Sequence, residues 1–212
     1  MEALEQISTT LALTMGVAWA SGINLYATLL TLGFLANSGN IVLPPDLQIV
    51  ANPMVMGAAG IMYFIEFFAD KVPGVDTGWD AIHTFIRIPA GAMLAAGAIG
   101  DLNPAVEIAA AIMGGSLAAA SHATKAGTRV LINTSPEPLS NWFTSVGEDI
   151  AVIGGVWACI NHPPVLFLIA LAFFILLMIW LLPRIWTGVK KVFRVIINLF
   201  SREQPPPLSP PQ

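Results

Sequence analysis

Charged side chains are scarce in this sequence. They make up 10% of the 212 residues, against about 25% in ordinary soluble domains. Apolar residues make up 56%, and the mean hydropathy is +0.75. This composition predicts a polytopic membrane protein. The formal net charge of −4 therefore says little about a soluble partner, and no nucleic acid partner is expected.

Cysteine is almost absent too. Cys159 is the single one, which excludes an internal disulfide and a cysteine-cluster metal site. It lies in an apolar run, where it is expected to pack against its neighbours. No organic cofactor is expected.

Three long runs without charge predict membrane spans. Positions 6–45 carry no charged side chain, and positions 47–65 and 165–182 form uncharged runs of 19 and 18 residues. A spanning helix needs about 20 residues, so these runs supply the first, second and sixth spans. A fourth span is expected to start at the Asn103-Pro104 turn.

Two further runs are too short to cross unaided. Positions 88–100 and 150–160 hold only 13 and 11 uncharged residues, and 13 helical residues cover about 20 Å of a roughly 30 Å hydrocarbon core. We therefore expect the third helix to begin near Trp79 and the fifth near Asn141. The ionisable residues that these extensions carry into the protein are Asp80, His83, Arg87, Glu148 and Asp149.

Helical spacing groups the polar residues into stripes. Glu66 and Asp70 are four apart and share a face, ahead of a Pro-Gly turn that leads to the third helix. The fourth helix carries a stripe that includes Ser121, Thr124, Lys125 and Arg129. The first carries Ser21, Asn24, Thr28 and Thr31 around Gly22. Two interpretations of this first stripe stay open: small polar residues that join helices, or a helix that breaks near Gly22 and lines a site.

The distribution of basic residues predicts the orientation. With the N-terminus in the cytoplasm, all nine Lys and Arg residues fall on or toward the cytoplasmic side. This supports six spans within residues 1–183, with both termini cytoplasmic. The pattern of residues 184–202 predicts a basic amphipathic interfacial helix. The composition of residues 203–212 predicts a disordered Pro-rich tail.

The predicted fold class is an all-α membrane protein of six transmembrane helices, arranged as a 3+3 inverted repeat with halves of about 6–100 and 104–183. Four residues of the first half recur one hundred positions later, and Thr124 stands where Asn24 would recur. Such repeats are typical of secondary transporters, so a break is considered for the first helix of each half. The recurring residues are Ala18, Ala20, Ser21 and Thr28, matched by Ala118, Ala120, Ser121 and Thr128.

Three segments also carry a family resemblance. They are Ala20-Ser-Gly-Ile-Asn-Leu-Tyr, Asp70-Lys-Val-Pro-Gly-Val-Asp and Trp79-Asp-Ala-Ile-His-Thr-Phe-Ile-Arg. Together they resemble a widespread group of bacterial multi-pass membrane proteins that is known only as a domain of unknown function, over about residues 15 to 180. The resemblance implies an integral protein of the bacterial inner membrane and supplies no substrate.

The intramembrane ionisable residues should face one another or water, because each costs roughly 2.5–3.5 kcal/mol at a helix centre. The plainer interpretation is a set of ion pairs at the cytoplasmic rim, such as Asp70 with Lys71 or Asp80 with Arg87. The functional one is a proton relay or a divalent-cation site, since carboxylates and one imidazole suit Mn or Mg. The metal candidates are Glu66, Asp80 and His83. The basic residues Arg87, Lys125 and Arg129 would suit an anionic group such as phosphate.

The favoured hypothesis is a transporter or flippase that moves a small ion or polar solute between two inverted halves. Its partners would be that solute and membrane lipids, while a homo-oligomer stays open. The residues expected to bind substrate are Ser21, Asn24, Ser121, Thr124, Lys125 and Arg129. The residues expected to couple a proton or cation are Glu66, Asp70, Asp80, His83, Arg87, Glu148 and Asp149.

Two alternatives stay open. One is an intramembrane enzyme acting on a lipid or polyprenyl phosphate, with Asp80 and His83 as acid and base, although no nucleophile motif accompanies them. The other is a non-catalytic scaffold whose basic C-terminal helix binds anionic lipid.

Overall fold

A computed structural model of the protein describes residues 2–72, 74–100, 103–133 and 138–162, with isolated positions between 172 and 194. The chain divides into two units, Met1–Phe167 and Leu168–Gln212. All regular structure within the described residues is helical. The predicted sixth span, interfacial helix and tail lie outside the described residues, apart from the isolated positions.

The described residues of the first unit form five α-helices and one short 3-10 helix, and they confirm the all-α prediction. Four of the helices are long and apolar enough to cross a membrane, and the 3-10 helix and α2 form a bent pair at 62°. The elements in order are α1 (Glu2–Asn37), the 3-10 helix (Pro45–Ala51), α2 (Pro53–Ala69), α3 (Val75–Ile99), α4 (Pro104–Ile132) and α5 (Pro138–Asn161).

The uncharged run over 47–65, predicted as the second span, is not one continuous helix but is divided between the 3-10 helix and α2. The helix axis bends at Asn52, whose side chain accepts a hydrogen bond from the Met54 backbone N–H at 2.9 Å and so caps α2. Pro53 is the first residue of α2, where its missing N–H costs nothing. An Asn-Pro pair therefore starts a new helix inside the uncharged run.

The first helix is interrupted, which is one of the two interpretations left open for its polar stripe. Asn24 has φ −146° and ψ 98°, far from helical values, within a helix that continues on both sides. Its side-chain Oδ1 accepts a hydrogen bond of 3.0 Å from the Ala27 backbone N–H, so Asn24 caps the second half of α1.

The corresponding break in the fourth helix is not present, because α4 is a single helix. Thr124, which stands at the position matching Asn24, donates its hydroxyl to the Ala120 carbonyl four residues earlier, at 2.9 Å. Such a back-bond can bend a helix, but α4 stays continuous through Thr124. The six-span count and the inverted repeat stay predictions.

Helix α1 lies at the centre of the unit and packs against α3, α4 and α5 through small residues. A Cβ atom added to Gly22 would overlap Ser121 Oγ and the Ala118 carbonyl oxygen. Likewise, a Cβ at Gly91 would overlap the Cβ of Ala118. Small residues at such crossings let helix backbones approach closely.

Both short uncharged runs lie in helices that extend toward their N-termini, as predicted. Helix α3 begins at Val75, one turn before Trp79, and α5 begins at Pro138. The extension of α3 buries Asp80, His83 and Arg87. That of α5 places Glu148 and Asp149 well inside the helix.

Candidate functional site

Seven charged side chains from α2 to α5 form one connected cluster, which we call the ionic network. Each member has an oppositely charged partner within 4.0 Å. Its members are Glu66 of α2, Asp70 just after α2, Asp80 and Arg87 of α3, Lys125 and Arg129 of α4, and Glu148 of α5.

Arg87 joins α2 to its own helix. Its Nη2 lies 2.5 Å from Glu66 Oε1, and its Nη1 lies 3.0 Å from Asp80 Oδ1. The side chains of Arg87 and Glu66 are fully buried. The Arg87 guanidinium therefore pairs with two carboxylates and has no contact with solvent.

Lys125 is the centre of the network. Its Nζ donates to Asp70 Oδ2 at 2.9 Å and to Glu66 Oε1 at 3.2 Å. It also lies 3.7 Å from an oxygen of Asp80 and 3.7 Å from one of Glu148. One ammonium group therefore approaches all four carboxylates.

Arg129 connects the network to α5. Its Nη2 lies 2.6 Å from Glu148 Oε2 and 3.3 Å from Asp70 Oδ2. Its Nη1 donates to the backbone carbonyls of Asp70 at 2.9 Å and Asn141 at 3.3 Å. The guanidinium also satisfies carbonyls at the end of α2 and the start of α5.

The network carries one more negative group than positive ones, namely four carboxylates against three cations. Three carboxylate oxygens are buried without a hydrogen-bond partner in the described part of the chain: Glu66 Oε2, Asp70 Oδ1 and Asp80 Oδ2. Glu148 is the member with the greatest access to its surroundings, at 14% side-chain exposure, whereas no other member exceeds 4%.

A second set of polar side chains, from Asn24, Tyr63 and Asp149, forms hydrogen bonds at the break in α1. Asn24 Nδ2 donates to Asp149 Oδ1 at 2.9 Å, and Tyr63 of α2 donates its hydroxyl to Asp149 Oδ2 at 3.0 Å. Both oxygens of this buried carboxylate thus accept from neutral donors. Asp149 ties the break to α2 and α5.

Two buried histidines hydrogen-bond to neighbouring helices. His83 Nδ1 donates to the Trp79 carbonyl at 2.8 Å, and its Nε2 lies 3.0 Å from the Tyr26 hydroxyl. On α4, His122 Nε2 lies 2.7 Å from the Thr84 hydroxyl of α3. Its Nδ1 lies 3.1 Å from Arg87 Nη1, which can only donate, so Nδ1 is the unprotonated ring nitrogen.

Lys71 lies beside the network and makes no ion pair with Asp70 among the described contacts, unlike the pair predicted for the rim. Its Nζ donates to the Phe67 carbonyl at 2.8 Å and to Ser145 Oγ at 3.3 Å. Burial lowers the pKa of Lys71, and the nearby carboxylates of Asp149 and Asp70 oppose that shift. The other predicted rim pair, Asp80 with Arg87, is present.

The residues predicted to bind substrate fall into two groups. Lys125 and Arg129 belong to the network, and Asn24 binds Asp149. The hydroxyls of Ser21, Ser121 and Thr124 donate to helix carbonyls, among them that of Trp19 on α1, which Ser121 reaches at 2.9 Å. Their contact with a substrate stays a prediction.

The metal candidates do not converge. No group of three His, Cys, Asp or Glu side chains that could hold a metal occurs within the described ranges. Arg87 holds Glu66 and Asp80, while His83 faces Tyr26. The proposed acid and base of the enzyme interpretation, Asp80 and His83, consequently have different partners.

Sequence reasoning missed several members of the site. Tyr63 lies three residues before Glu66 and seven before Asp70, a spacing that places it on the same helical face and could have revealed it. Tyr26 and the backbone carbonyl of Asn141 carried no such signal, because their partners lie on other helices. His122 stood beside the predicted stripe of α4 without an assigned role.

The fold and the network together define the class: a helical protein with four helices long and apolar enough to cross a membrane, and with a buried ionic cluster beside a broken first helix. The chain belongs to the family described as domain of unknown function DUF4126, whose model matches residues 11–184. No curated protein and no solved structure gives a significant match to the chain.

Proposed function

We propose that this protein is a transporter or flippase that moves a small ion or polar solute across the membrane, coupled to a proton or cation through the ionic network. The observation that carries the proposal is the buried excess of carboxylates over cations, shared among α2, α3, α4 and α5. Ionisable groups inside a membrane protein are costly and mark ion or substrate pathways.

Stability alone accounts poorly for such a network. Replacing a buried ion pair with apolar residues of similar volume is often neutral or stabilising, so these charges are weak evidence of a structural role. Lys125 lies within 4.0 Å of four carboxylates, so it can exchange one partner for another. If it loses contact with one carboxylate, the other three remain within reach. Exchange of partners is the kind of two-state rearrangement that transport requires.

The break in α1 supports the same proposal. Discontinuous helices expose backbone groups near the binding sites of many secondary transporters. Here the side chain of Asn24, at the break, hydrogen-bonds to Asp149 of α5. Glu148 of the ionic network directly precedes Asp149 in the sequence, and no further acid follows Asp149 along α5. A change of charge in the network can thereby act on the broken helix through adjacent residues of α5.

The proposal includes the membrane arrangement that the sequence favours. It comprises six spans as two inverted halves in the bacterial inner membrane, with the network in the cytoplasmic half and both termini cytoplasmic. Solute would pass between the halves, close to Asn24, while Lys125 and Arg129 would change partners during the cycle. Membrane lipids surround the apolar outer faces.

Flux in proteoliposomes tests the proposal. Vesicles containing the full chain and an internal pH-sensitive dye are given a pH gradient and then potassium, manganese or inorganic phosphate as separate probes. We expect at least one probe to change the rate of internal pH change in wild type. Asp80→Asn and Glu148→Gln should abolish that response, whereas Glu107→Gln, at an exposed position on α4, should retain it.

A response to none of these probes, or one that Asp80→Asn and Glu148→Gln both retain, would reject the coupling role of the network. Helical content and elution as a single species serve as the folding check for each variant.

A further inference from the structure

We propose that the coupling ion is a proton, that the ionic network stores one proton shared among Glu66, Asp70 and Asp80, and that Glu148 is the group through which it enters. This inference rests on the proposed transport function and deepens it. It depends on charge balance, on the free carboxylate oxygens and on the exposure of a single member.

Charge balance requires one more positive charge than the side chains supply. With all groups ionised, the four carboxylates exceed the three cations by one. Lys71 and Asp149, which lie beside the network, add one charge of each sign and leave the excess unchanged. The buried carboxylate of Asp76, at the start of α3, accepts hydrogen bonds from the neutral groups of Gly74, Thr77 and Asn133. An uncompensated charge in an apolar interior is expensive, and such sites neutralise themselves by taking up a proton or a cation.

The free oxygens favour a proton. Glu66 Oε2, Asp70 Oδ1 and Asp80 Oδ2 are buried and accept no hydrogen bond among the described residues, so each can carry a hydrogen. The opposite oxygen of each carboxylate is already bound to Arg87, Lys125 or Arg129. A metal ion needs several converging ligands, and no such group of His, Cys, Asp or Glu occurs in the described part of the chain.

The other titratable groups near the network lack this combination. Asp149 already accepts at both oxygens. His122 faces the Arg87 guanidinium at 3.1 Å, which opposes a second positive charge on its ring. Tyr26, Tyr63 and His83 take part in hydrogen bonds around α1.

Glu148 provides the route of entry. It is the member with the greatest exposure, and it shares Arg129 Nη2 with Asp70. A proton taken from water by the Glu148 carboxylate can pass to Asp70, with one O–H bond broken and one formed at each transfer. Lys125 lies near both carboxylates and stabilises whichever one is ionised.

Infrared spectroscopy tests the inference without a transported solute. A protonated carboxylic acid has a C=O band distinct from that of a carboxylate, and the band shifts in D₂O. Purified full-length protein in nanodiscs should show such a band near neutral pH. Asp80→Asn removes one negative charge and should abolish it, whereas Glu107→Gln, at an exposed position outside the network, should keep it.

The role of Glu148 as the entry group must be tested with a variant that keeps the negative charge at this position. Glu148→Asp preserves the balance with a shorter side chain, so the band should persist while its shift in D₂O becomes at least several-fold slower than in wild type. Glu107→Asp, at the exposed site, is the matched control and should exchange at the wild-type rate. An unchanged rate in Glu148→Asp would overturn the assignment of Glu148.

Absence of the band in wild type, or its retention in Asp80→Asn, would overturn the stored proton. These outcomes are separable from failure of the transport proposal. A band without any flux rejects transport, and flux without a band rejects the proton.

Discussion

Asn24 and Asp149 are 125 positions apart in the sequence, and the amide of one donates to the carboxylate of the other at 2.9 Å. The same asparagine caps the second half of α1 through its carbonyl oxygen. One side chain therefore both terminates a helical segment and holds an acid of another helix. The interruption of α1 at Asn24 and the position of the Asp149 carboxylate therefore depend on each other.

A double-mutant cycle should reveal this dependence. Asn24→Ala removes the cap, which costs about 1 kcal/mol, and leaves a buried acceptor short of a donor, which costs about 1–3 kcal/mol. Asp149→Asn should cost less in the Asn24→Ala background than in wild type, by an interaction energy of about 0.5–3 kcal/mol. Denaturant titration in detergent micelles measures all four stabilities, and additive effects would contradict the coupling.

Arg87 should be the least replaceable member of the network. Arg87→Met leaves Glu66 and Asp80 with buried negative charge and without their closest partner, so we expect a loss of about 3–5 kcal/mol in the free energy of unfolding. Adding Asp80→Asn to that variant restores part of the charge balance and should recover part of the stability. Thermal unfolding monitored by circular dichroism measures both.

The exposed Glu107 supplies the control for this series. Glu107→Gln should change the unfolding free energy by no more than about 0.5 kcal/mol. If Arg87→Met were equally mild, the network would not hold the helices together as described.

The packing of α1 against α4 predicts a contrast between two glycines. A methyl group at Gly22 would overlap the Ala118 carbonyl, which is backbone and cannot move aside. We expect Gly22→Ala to destabilise the protein by about 1–3 kcal/mol through overpacking. At Gly57 an added Cβ meets nothing within 4 Å. Gly57→Ala should therefore be neutral or stabilising by about 0.5–1 kcal/mol.

The orientation can be tested with cysteines introduced into a Cys159→Ala background. Val42 lies in the exposed loop after α1, and Gly78 lies in the first turn of α3 with open space around it. We expect a membrane-impermeant maleimide to label Val42→Cys in intact cells and Gly78→Cys only in inverted vesicles. The reverse pattern would mean that the N-terminus is not cytoplasmic.

Run lengths in the sequence predicted the most important feature of the site. Two uncharged segments were too short to span a bilayer, and α3 and α5 do extend back through Arg87 and Glu148. That inference needs only the rise of a helix and the thickness of the hydrocarbon core. It does not need any knowledge of which helices are neighbours.

The partners of those charges could not be predicted in the same way. Arg87 was assigned to Asp80 on its own helix, and its contact with Glu66 follows from how α2 and α3 pack. The repeat pattern suggests a break in α4 at position 124 as well as in α1 at Asn24. In α4, however, Thr124 bonds back to its own helix. A single side chain decides between those outcomes, and repeat symmetry gives no information about it.

The most direct measurement is an experimental density map of the full chain in a lipid nanodisc, because it relates the ionic network to the bilayer itself. The account predicts that Arg87, Lys125 and Arg129 lie inside the protein at the level of the lipid belt, each within hydrogen-bond distance of a carboxylate, with α1 interrupted at Asn24. Charges that point into bulk water outside the belt, or an uninterrupted α1, would contradict it.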